Sequence, residues 1–247
     1  MQKKIRVGAV SYLNTKPLIY GFQNGMMSDK IELMLDYPAR LATALQKKEI
    51  DIALLPVAAI NRIPEAEVIS DYCIGATGEV ASVCLFSEVP IEEVQSIYLD
   101  YQSKTSVALT KILLREFWKT RPMLLEADEN YIDNIQGKTA GLIIGDRALT
   151  LYNHFTYRYD LAAIWHAHTQ RPFVFATWIS NTPLSDNFKM QFNEATGLGI
   201  TKLDEIISRS DYDKYDLKTY YTQNISYILD DEKRNAMTLF LKQAEIN

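Results

Sequence analysis

The chain has 247 residues, of which 47% are hydrophobic, and a formal net charge of −5. This length and composition support a substantial core, in one large domain or two small lobes, and exclude a disordered or fibrous protein. The 26 Lys and Arg residues are scattered along the chain rather than clustered, which argues against nucleic acid as a partner.

The N-terminus and the cysteines indicate the compartment. Met1–Ile5 leads directly into a predicted strand, without the apolar stretch and small-residue cleavage site of a secretory signal. No apolar run approaches the length of a membrane span. The two cysteines, Cys73 and Cys84, lie in apolar strand-like segments, so we expect free buried thiols rather than a disulfide. We therefore expect a cytoplasmic protein with no membrane partner.

The first predicted strand runs into a polar turn and then into a helix opened by proline. Ser11, Tyr12 and Asn14 follow the apolar residues 7–10, and Pro17 suits the first turn of a helix. Because free N–H groups at helix starts attract anions, the turn predicts a site for a small carboxylate or phosphate. The alternative is that Ser11 and Asn14 only cap the helix.

Strand-like and helix-like segments then alternate. A strand, a helix with Leu41 and Leu45 one turn apart, and another strand predict a β-α-β unit with parallel strands and a right-handed crossover. The same rhythm returns later, so the sequence predicts an α/β fold with two lobes. The segments of the two units are Ile31–Asp36, the helix from Pro38, Ile50–Pro56, Ser96–Asp100, Thr105–Lys119 and Thr139–Gly145.

Two apolar segments could carry the chain between the lobes. They are Val80–Phe86 and Pro172–Trp178. With these crossovers, the first lobe comprises residues 1–88 plus 178–247 and the second comprises residues 89–177. A C-terminal helix, begun by the negative charges at residues 230–232, is expected to pack on the first lobe.

Three further places are candidates for ligand binding. Ser103, Thr105 and Ser106 open a predicted helix, where their hydroxyl and backbone groups could hold a carboxylate together. Gly145 and Asp146 end an apolar strand, the position at which open α/β sheets bind ligands. Ser82, in a predicted crossover, could face the cleft between the lobes. The alternatives are helix caps at the first two places and a tolerated small residue at the third.

The sequence lacks several other kinds of site. His166 and His168 are two residues apart, and no cysteine or acidic cluster completes a set of metal ligands. The chain also lacks both Gly-x-Gly-x-x-Gly and Gly-x-x-x-x-Gly-Lys-[Ser/Thr] loops. We therefore predict neither a metal nor a nucleotide cofactor.

The opening block resembles the signature of the chorismate dehydratases of the futalosine route to menaquinone. That block is Ser-Tyr-Leu-Asn-Thr-Lys-Pro-Leu-Ile-Tyr-Gly, residues 11–21. Further blocks resemble the same family in the same order, so the resemblance covers nearly the whole chain. They are residues 51–56, 81–87, 103–109, 144–149 and 172–178.

The resemblance implies a type II periplasmic-binding-protein-like fold, with two crossover strands and a ligand cleft between two lobes. It implies elimination of water from chorismate, a dicarboxylate, to give 3-[(1-carboxyvinyl)oxy]benzoate without a cofactor. By the same resemblance, the candidate binding residues described above would line the cleft. These are Ser11, Tyr12, Asn14, Ser82, Ser103, Thr105, Ser106, Gly145 and Asp146.

The proton acceptor of that reaction is left open by the sequence. Asn14 is a neutral amide and cannot act as a base near neutral pH, so it is expected to bind the departing hydroxyl or a carboxylate. The base is then Asp146 or a carboxylate of the substrate itself. The chain departs from the family that it resembles near Ala81, where many members have an arginine, and Arg147 or backbone donors could replace that arginine here.

Two other functions fit the same fold. One is a non-catalytic solute-binding or sensor protein for a small carboxylate, against which the missing secretion signal argues. The other is the sister enzyme of the same pathway, a dihydroxynaphthoate synthase. A catalytic histidine is expected there, whereas His154, His166 and His168 all lie outside the predicted cleft blocks.

Overall fold

The protein is described here from a computed structural model that covers residues 4–245. The strands divide between two sheets, with orders β11-β4-β10-β3-β1-β2 and β7-β6-β8-β5-β9. The strands are β1 Ile5–Ala9, β2 Ile31–Leu35, β3 Ile52–Pro56, β4 Glu67–Ala76, β5 Val83–Ser87, β6 Ser96–Leu99, β7 Met123–Glu126, β8 Thr139–Ile144, β9 Tyr157–Asp160, β10 Phe173–Ser180 and β11 Ser226–Ile228.

Helices connect these strands. They are α1 Lys16–Gln23, α2 Pro38–Gln46, α3 Lys104–Leu113, α4 Asp146–Thr150, α5 Leu161–Thr169, α6 Asp186–Ile200, α7 Leu203–Ser208, α8 Leu217–Thr219 and α9 Asp231–Ala244. Two π-helical turns, Leu114–Trp118 and Tyr220–Asn224, continue α3 and α8. None of the helices within residues 4–245 is long and apolar enough to cross a bilayer.

Both predicted parallel units are present. In the first sheet β1 pairs in parallel with β2 and with β3, and in the second sheet β6 pairs in parallel with β7 and with β8. Leu41 and Leu45 of α2 are buried, as their spacing predicts. The two-sheet α/β architecture predicted from the sequence is confirmed.

The chain passes from the first sheet to the second through residues 77–82 and returns through residues 161–172. Val83–Ser87 lies in the second sheet because its backbone pairs with β8 and β9, although the predicted boundary at residue 88 assigns it to the first lobe. Phe173–Ser180 lies wholly in the first sheet, paired with β3 and β4. At the level of the sheets, both crossings therefore come earlier in the chain than predicted.

The six-stranded sheet and the helices packed on it form the first lobe, and the five-stranded sheet and its helices form the second lobe. In the first lobe α1 packs closely on α6. A Cβ atom added at Gly199 would lie 1.9 Å from the carbonyl oxygen of Pro17, so only glycine allows this approach. The contact fixes the helix that follows the polar turn at residues 11–15.

Candidate active site

A cleft lies between the two lobes at the carboxyl ends of strands β1, β3 and β8. It encloses about 560 Å³ of space free of protein atoms, part of which is open solvent. The lining residues come from both lobes: Val10, Tyr12, Asn14, Pro38, Leu54, Pro56, Ile74, Val80, Ser82, Val83, Gln102, Ser103, Ser106, Ile144, Gly145, Phe175 and Ala176.

The polar turn after β1 forms one wall of the cleft. Tyr12 and Asn14 line it, whereas Ser11 is exposed and is not among the lining residues, contrary to the expectation for Ser11. A 3-10 turn at Leu13–Thr15 precedes α1, and neither it nor α1 has a side-chain cap. The capping alternative for Asn14 is therefore not what the structure shows.

Ser82 and Gly145 form the facing wall. The Gly145 N–H donates to the Ser82 carbonyl oxygen at 2.8 Å, which joins the residue before β5 to the residue after β8. Gly145 has φ +66° and ψ −147°, a conformation available almost only to glycine. Its position therefore allows the chain to turn from β8 into α4 at the cleft.

A buried carboxylate holds the turn that carries Ser82. Oδ2 of Asp160 accepts hydrogen bonds from the N–H groups of Val80 and Ala81, at 3.0 and 2.7 Å. Ala81 has φ +61°, which a residue with a side chain seldom adopts. Burial raises the pKa of Asp160 to about 6, although these N–H donors oppose the rise. Asp160 thus compensates for a strained backbone next to Ser82.

The start of α3 supplies the remaining predicted hydroxyls. Ser103 caps the helix, since its Oγ accepts from the Ser106 N–H at 3.2 Å and from the Ser106 hydroxyl at 3.0 Å. Both serines line the cleft. Thr105 is fully buried and outside the lining, because its Oγ1 accepts a hydrogen bond from the N–H of Ala58 at 2.9 Å. Thr105 therefore joins the lobes rather than facing the cleft.

Asp146 also joins the lobes. Its Oδ1 accepts from the N–H of Leu13 at 3.1 Å, and it is not among the residues that line the cleft. It makes no cap to its own helix. Burial raises the pKa of Asp146 above its usual value, while the Leu13 N–H and the charge of Lys16 oppose that rise. From the sequence we expect Asp146 to line the cleft, but in the structure its carboxylate contacts the Leu13 N–H instead.

The cleft lining is electrically neutral. None of the lining residues within the described chain carries a formal charge. Arg147, considered as a replacement for an arginine near Ala81, instead contacts the buried carboxylate of Asp100 at 2.6 Å. A bound carboxylate would therefore depend on hydroxyl, amide and backbone donors, which are the groups that the sequence predicts.

The histidines do not contribute to this site. His154, His166 and His168 are absent from the lining. Within residues 4–245, no group of three or more His, Cys, Asp or Glu side chains could hold a metal ion.

Comparison with known proteins shows the family of this chain. A family model described as menaquinone biosynthesis matches residues 5–245. The chain belongs to this menaquinone biosynthesis family. Two curated relatives are named chorismate dehydratase. The one from Campylobacter jejuni is 27% identical and covers 95% of each chain, and the one from Thermus thermophilus is 25% identical and covers 81% of this chain and 79% of its own.

The fold comparison is consistent with family membership. A Candida albicans protein with the generic periplasmic binding protein fold matches with a TM-score of 0.63 at 15% identity, over 99% of this chain and 91% of its own. The predicted periplasmic-binding-protein-like fold is confirmed.

Sequence reasoning missed two groups of polar residues at this family member's cleft. One is Gln102, whose Oε1 accepts from the Tyr12 hydroxyl at 2.7 Å. The other is the tyrosine-rich segment 220–227, which lies under the polar turn. Tyr221 donates to the Leu13 carbonyl and Tyr227 to the Asn14 carbonyl, each at 3.1 Å. The only signal in the sequence is the density of tyrosine there.

Proposed function

We propose that this protein is a chorismate dehydratase, a hydro-lyase that converts chorismate to 3-[(1-carboxyvinyl)oxy]benzoate and water. One observation carries the proposal: neutral hydrogen-bonding side chains from both lobes converge on one cleft whose other walls are apolar. The polar groups suit the two carboxylates and the hydroxyl of chorismate, and the apolar walls suit its ring. The two curated relatives with this name support the assignment.

The reaction needs little from the protein beyond orientation. A base removes the ring hydrogen from the carbon that bears the carboxyvinyl ether. The electron pair released forms the new ring double bond, and hydroxide leaves from the adjacent carbon and takes up a proton to form water. Because the ring becomes aromatic, elimination is strongly favourable, and positioning is the main task of the cleft.

In this proposal, the departing hydroxyl is bound by Asn14 of the first lobe and by Ser82 at the end of the crossing into the second lobe. Ser103 and Ser106 bind a carboxylate through their hydroxyl groups. Tyr12 and Gly145, whose O–H and N–H donate to Gln102 and to the Ser82 carbonyl, shape the wall beside it. Neutral donors of this kind stabilise developing negative charge when they are fixed in advance and water is excluded.

A carboxylate of the substrate is the favoured base. Asp146 is the alternative, but its carboxylate accepts from the Leu13 N–H and lies outside the cleft lining. A substrate carboxylate, held in the cleft over the ring, reaches the ring hydrogen without any ionised protein side chain. The proposal includes a cytoplasmic location and no cofactor.

The test is direct. Purified protein is incubated with chorismate, without added metal or cofactor, and the product is followed by mass and absorbance. We expect the loss of one water and the appearance of an aromatic spectrum. Saturable binding of chorismate without conversion would instead assign the protein to the solute-binding or sensor class.

A further inference from the structure

A buried tyrosine lies behind the two polar residues that the proposed reaction uses. Tyr220 begins the π-helical turn Tyr220–Asn224 and is fully buried. Isolated π-helical turns are rare and often occur at functional sites. The turn underlies both cleft walls, because Tyr221 donates to the Leu13 carbonyl and Nδ2 of Asn224 donates to the Glu79 carbonyl at 3.2 Å.

The hydroxyls of Tyr220 and Ser82 share an unusual property. Both are buried, and within residues 4–245 neither completes a hydrogen bond of ordinary geometry. A buried unpaired hydroxyl costs about 1–3 kcal/mol, so native proteins retain few of them. Because two such hydroxyls lie beside the same cleft, we expect them to act in ligand binding or catalysis.

The surroundings of the Tyr220 hydroxyl show which residues it acts on. The turn of Tyr220 contacts Leu13, the neighbour of Asn14, and Glu79, three residues before Ser82, so it brings Tyr220 behind both residues. In keeping with this, burial raises the pKa of Tyr220, and the side chains of Ser82 and Asn14 oppose that rise. Tyr220 is therefore protonated throughout the neutral pH range and is a permanent hydrogen-bond donor. Ser82 and Asn14 both line the cleft, whereas Tyr220 does not.

We propose that Tyr220 is a positioning residue of the dehydration, whose hydroxyl donates to Oγ of Ser82 when chorismate occupies the cleft. The inference rests on the proposed function. A serine hydroxyl can both donate and accept a hydrogen bond. When its oxygen accepts from an N–H or O–H donor, the serine proton points away from that donor. Tyr220 thus directs the Ser82 proton into the cleft, toward the departing hydroxyl.

A double-mutant cycle separates this role from a purely structural one. Tyr220→Phe keeps the ring and removes only the hydroxyl, and Ser82→Ala removes the group through which it acts. We expect Tyr220→Phe to lower kcat for chorismate about tenfold, with KM changed less than about twofold. In the Ser82→Ala background, Tyr220→Phe should lower kcat no further, since residues that act as a unit are non-additive.

Tyr221→Phe is the matched control. It removes a neighbouring hydroxyl, but one whose partner is the Leu13 carbonyl rather than Ser82. Its effect on kcat should be the same factor with or without Ser82→Ala. Circular dichroism and thermal unfolding establish that each variant is folded.

Three results would overturn the inference. The first is that Tyr220→Phe lowers kcat by the same factor in the wild-type and in the Ser82→Ala protein. The second is that the Tyr220→Phe protein does not fold, which would show that the hydroxyl has a structural role. Neither of these two results contradicts the proposed function, because that function is tested by the turnover of the wild-type protein. The third, a folded wild-type protein that binds but does not convert chorismate, would remove the proposed function and this inference together.

Discussion

The Tyr12 hydroxyl donates a hydrogen bond to Oε1 of Gln102 at 2.7 Å, and the two residues line the same cleft from opposite lobes. Burial and the charge of Asp100 raise the pKa of Tyr12 to about 12, so the phenol is a donor at neutral pH. With the Leu13–Asp146 and Ala58–Thr105 hydrogen bonds, this contact holds the lobes together around the cleft. Each of these bonds links residues far apart in the chain.

Removing the Tyr12 hydroxyl should weaken substrate binding. Tyr12→Phe keeps the ring beside Gly145 and loses the bond to Gln102. Since a net hydrogen bond contributes about 1 kcal/mol, we expect KM for chorismate to rise about fivefold with a smaller change in kcat. Steady-state kinetics measure this, with Tyr37→Phe, on an exposed tyrosine, as the control. An unchanged KM would show that lobe closure does not depend on this bond.

Asp146→Asn tests the base. The amide oxygen can still accept from the Leu13 N–H, but the side chain can no longer take a proton. If a substrate carboxylate is the base, kcat should fall by less than about tenfold, because general-base catalysis contributes about 10²–10⁴. Asp133→Asn, at an exposed carboxylate, is the control. A loss of kcat above about 100-fold would identify Asp146 as the base.

Gly145→Ala should destabilise the fold through its backbone rather than through a clash. An added Cβ would meet the Tyr12 ring at 3.7 Å, an ordinary contact, but φ is +66°. Such a conformation costs an alanine about 1–3 kcal/mol. Urea unfolding measures the change in the free energy of unfolding. Gly78→Ala, at a glycine with open space around it, should change that free energy much less. Equal losses in the two variants would contradict the strain argument.

Asp160 predicts a pH dependence of stability. Its Oδ1 also accepts from the N–H groups of Ala162 and Ala163, each at 3.0 Å, so both oxygens are used at the start of α5 and before Ser82. Burial raises its pKa from 3.8 to about 6. Between these values the folded protein binds more protons at Asp160 than the unfolded chain does. The contribution of this group to the free energy of unfolding therefore falls as the pH rises.

The measurement compares wild type with Asp160→Asn, which cannot titrate. The advantage of wild type in the free energy of unfolding should shrink by about 2 kcal/mol between about pH 4 and pH 6. This is less than about 1.4 kcal/mol for each pH unit, because the unfolded chain is still partly protonated at pH 4 and the folded protein is already partly ionised at pH 6. For Asp133→Asn the difference from wild type should not shrink in this way. An advantage that grows with pH in this range would mean that the N–H donors outweigh burial.

Sequence patterns close together in the chain predicted the local structure of the site. Residues 7–18 show a strand, a polar turn and a proline-opened helix within a dozen positions, and the structure has that order. Ser103 opens α3 and Gly145 ends β8 for equally local reasons. Strand periodicity likewise placed the parallel units, although it placed both crossings between the sheets too late.

The tertiary structure alone decided which polar groups face the cleft. Thr105 and Ser106 are neighbours on one helix, yet Thr105 contacts Ala58 of the other lobe and Ser106 lines the cleft. Asp146 is one residue from Gly145 and contacts Leu13 instead. Tyr220 has no motif around it, and its π-helical turn contacts Leu13 and Glu79 only because the C-terminal segment folds under both walls. Local periodicity follows from backbone geometry, whereas these contacts depend on how two separately formed lobes pack together.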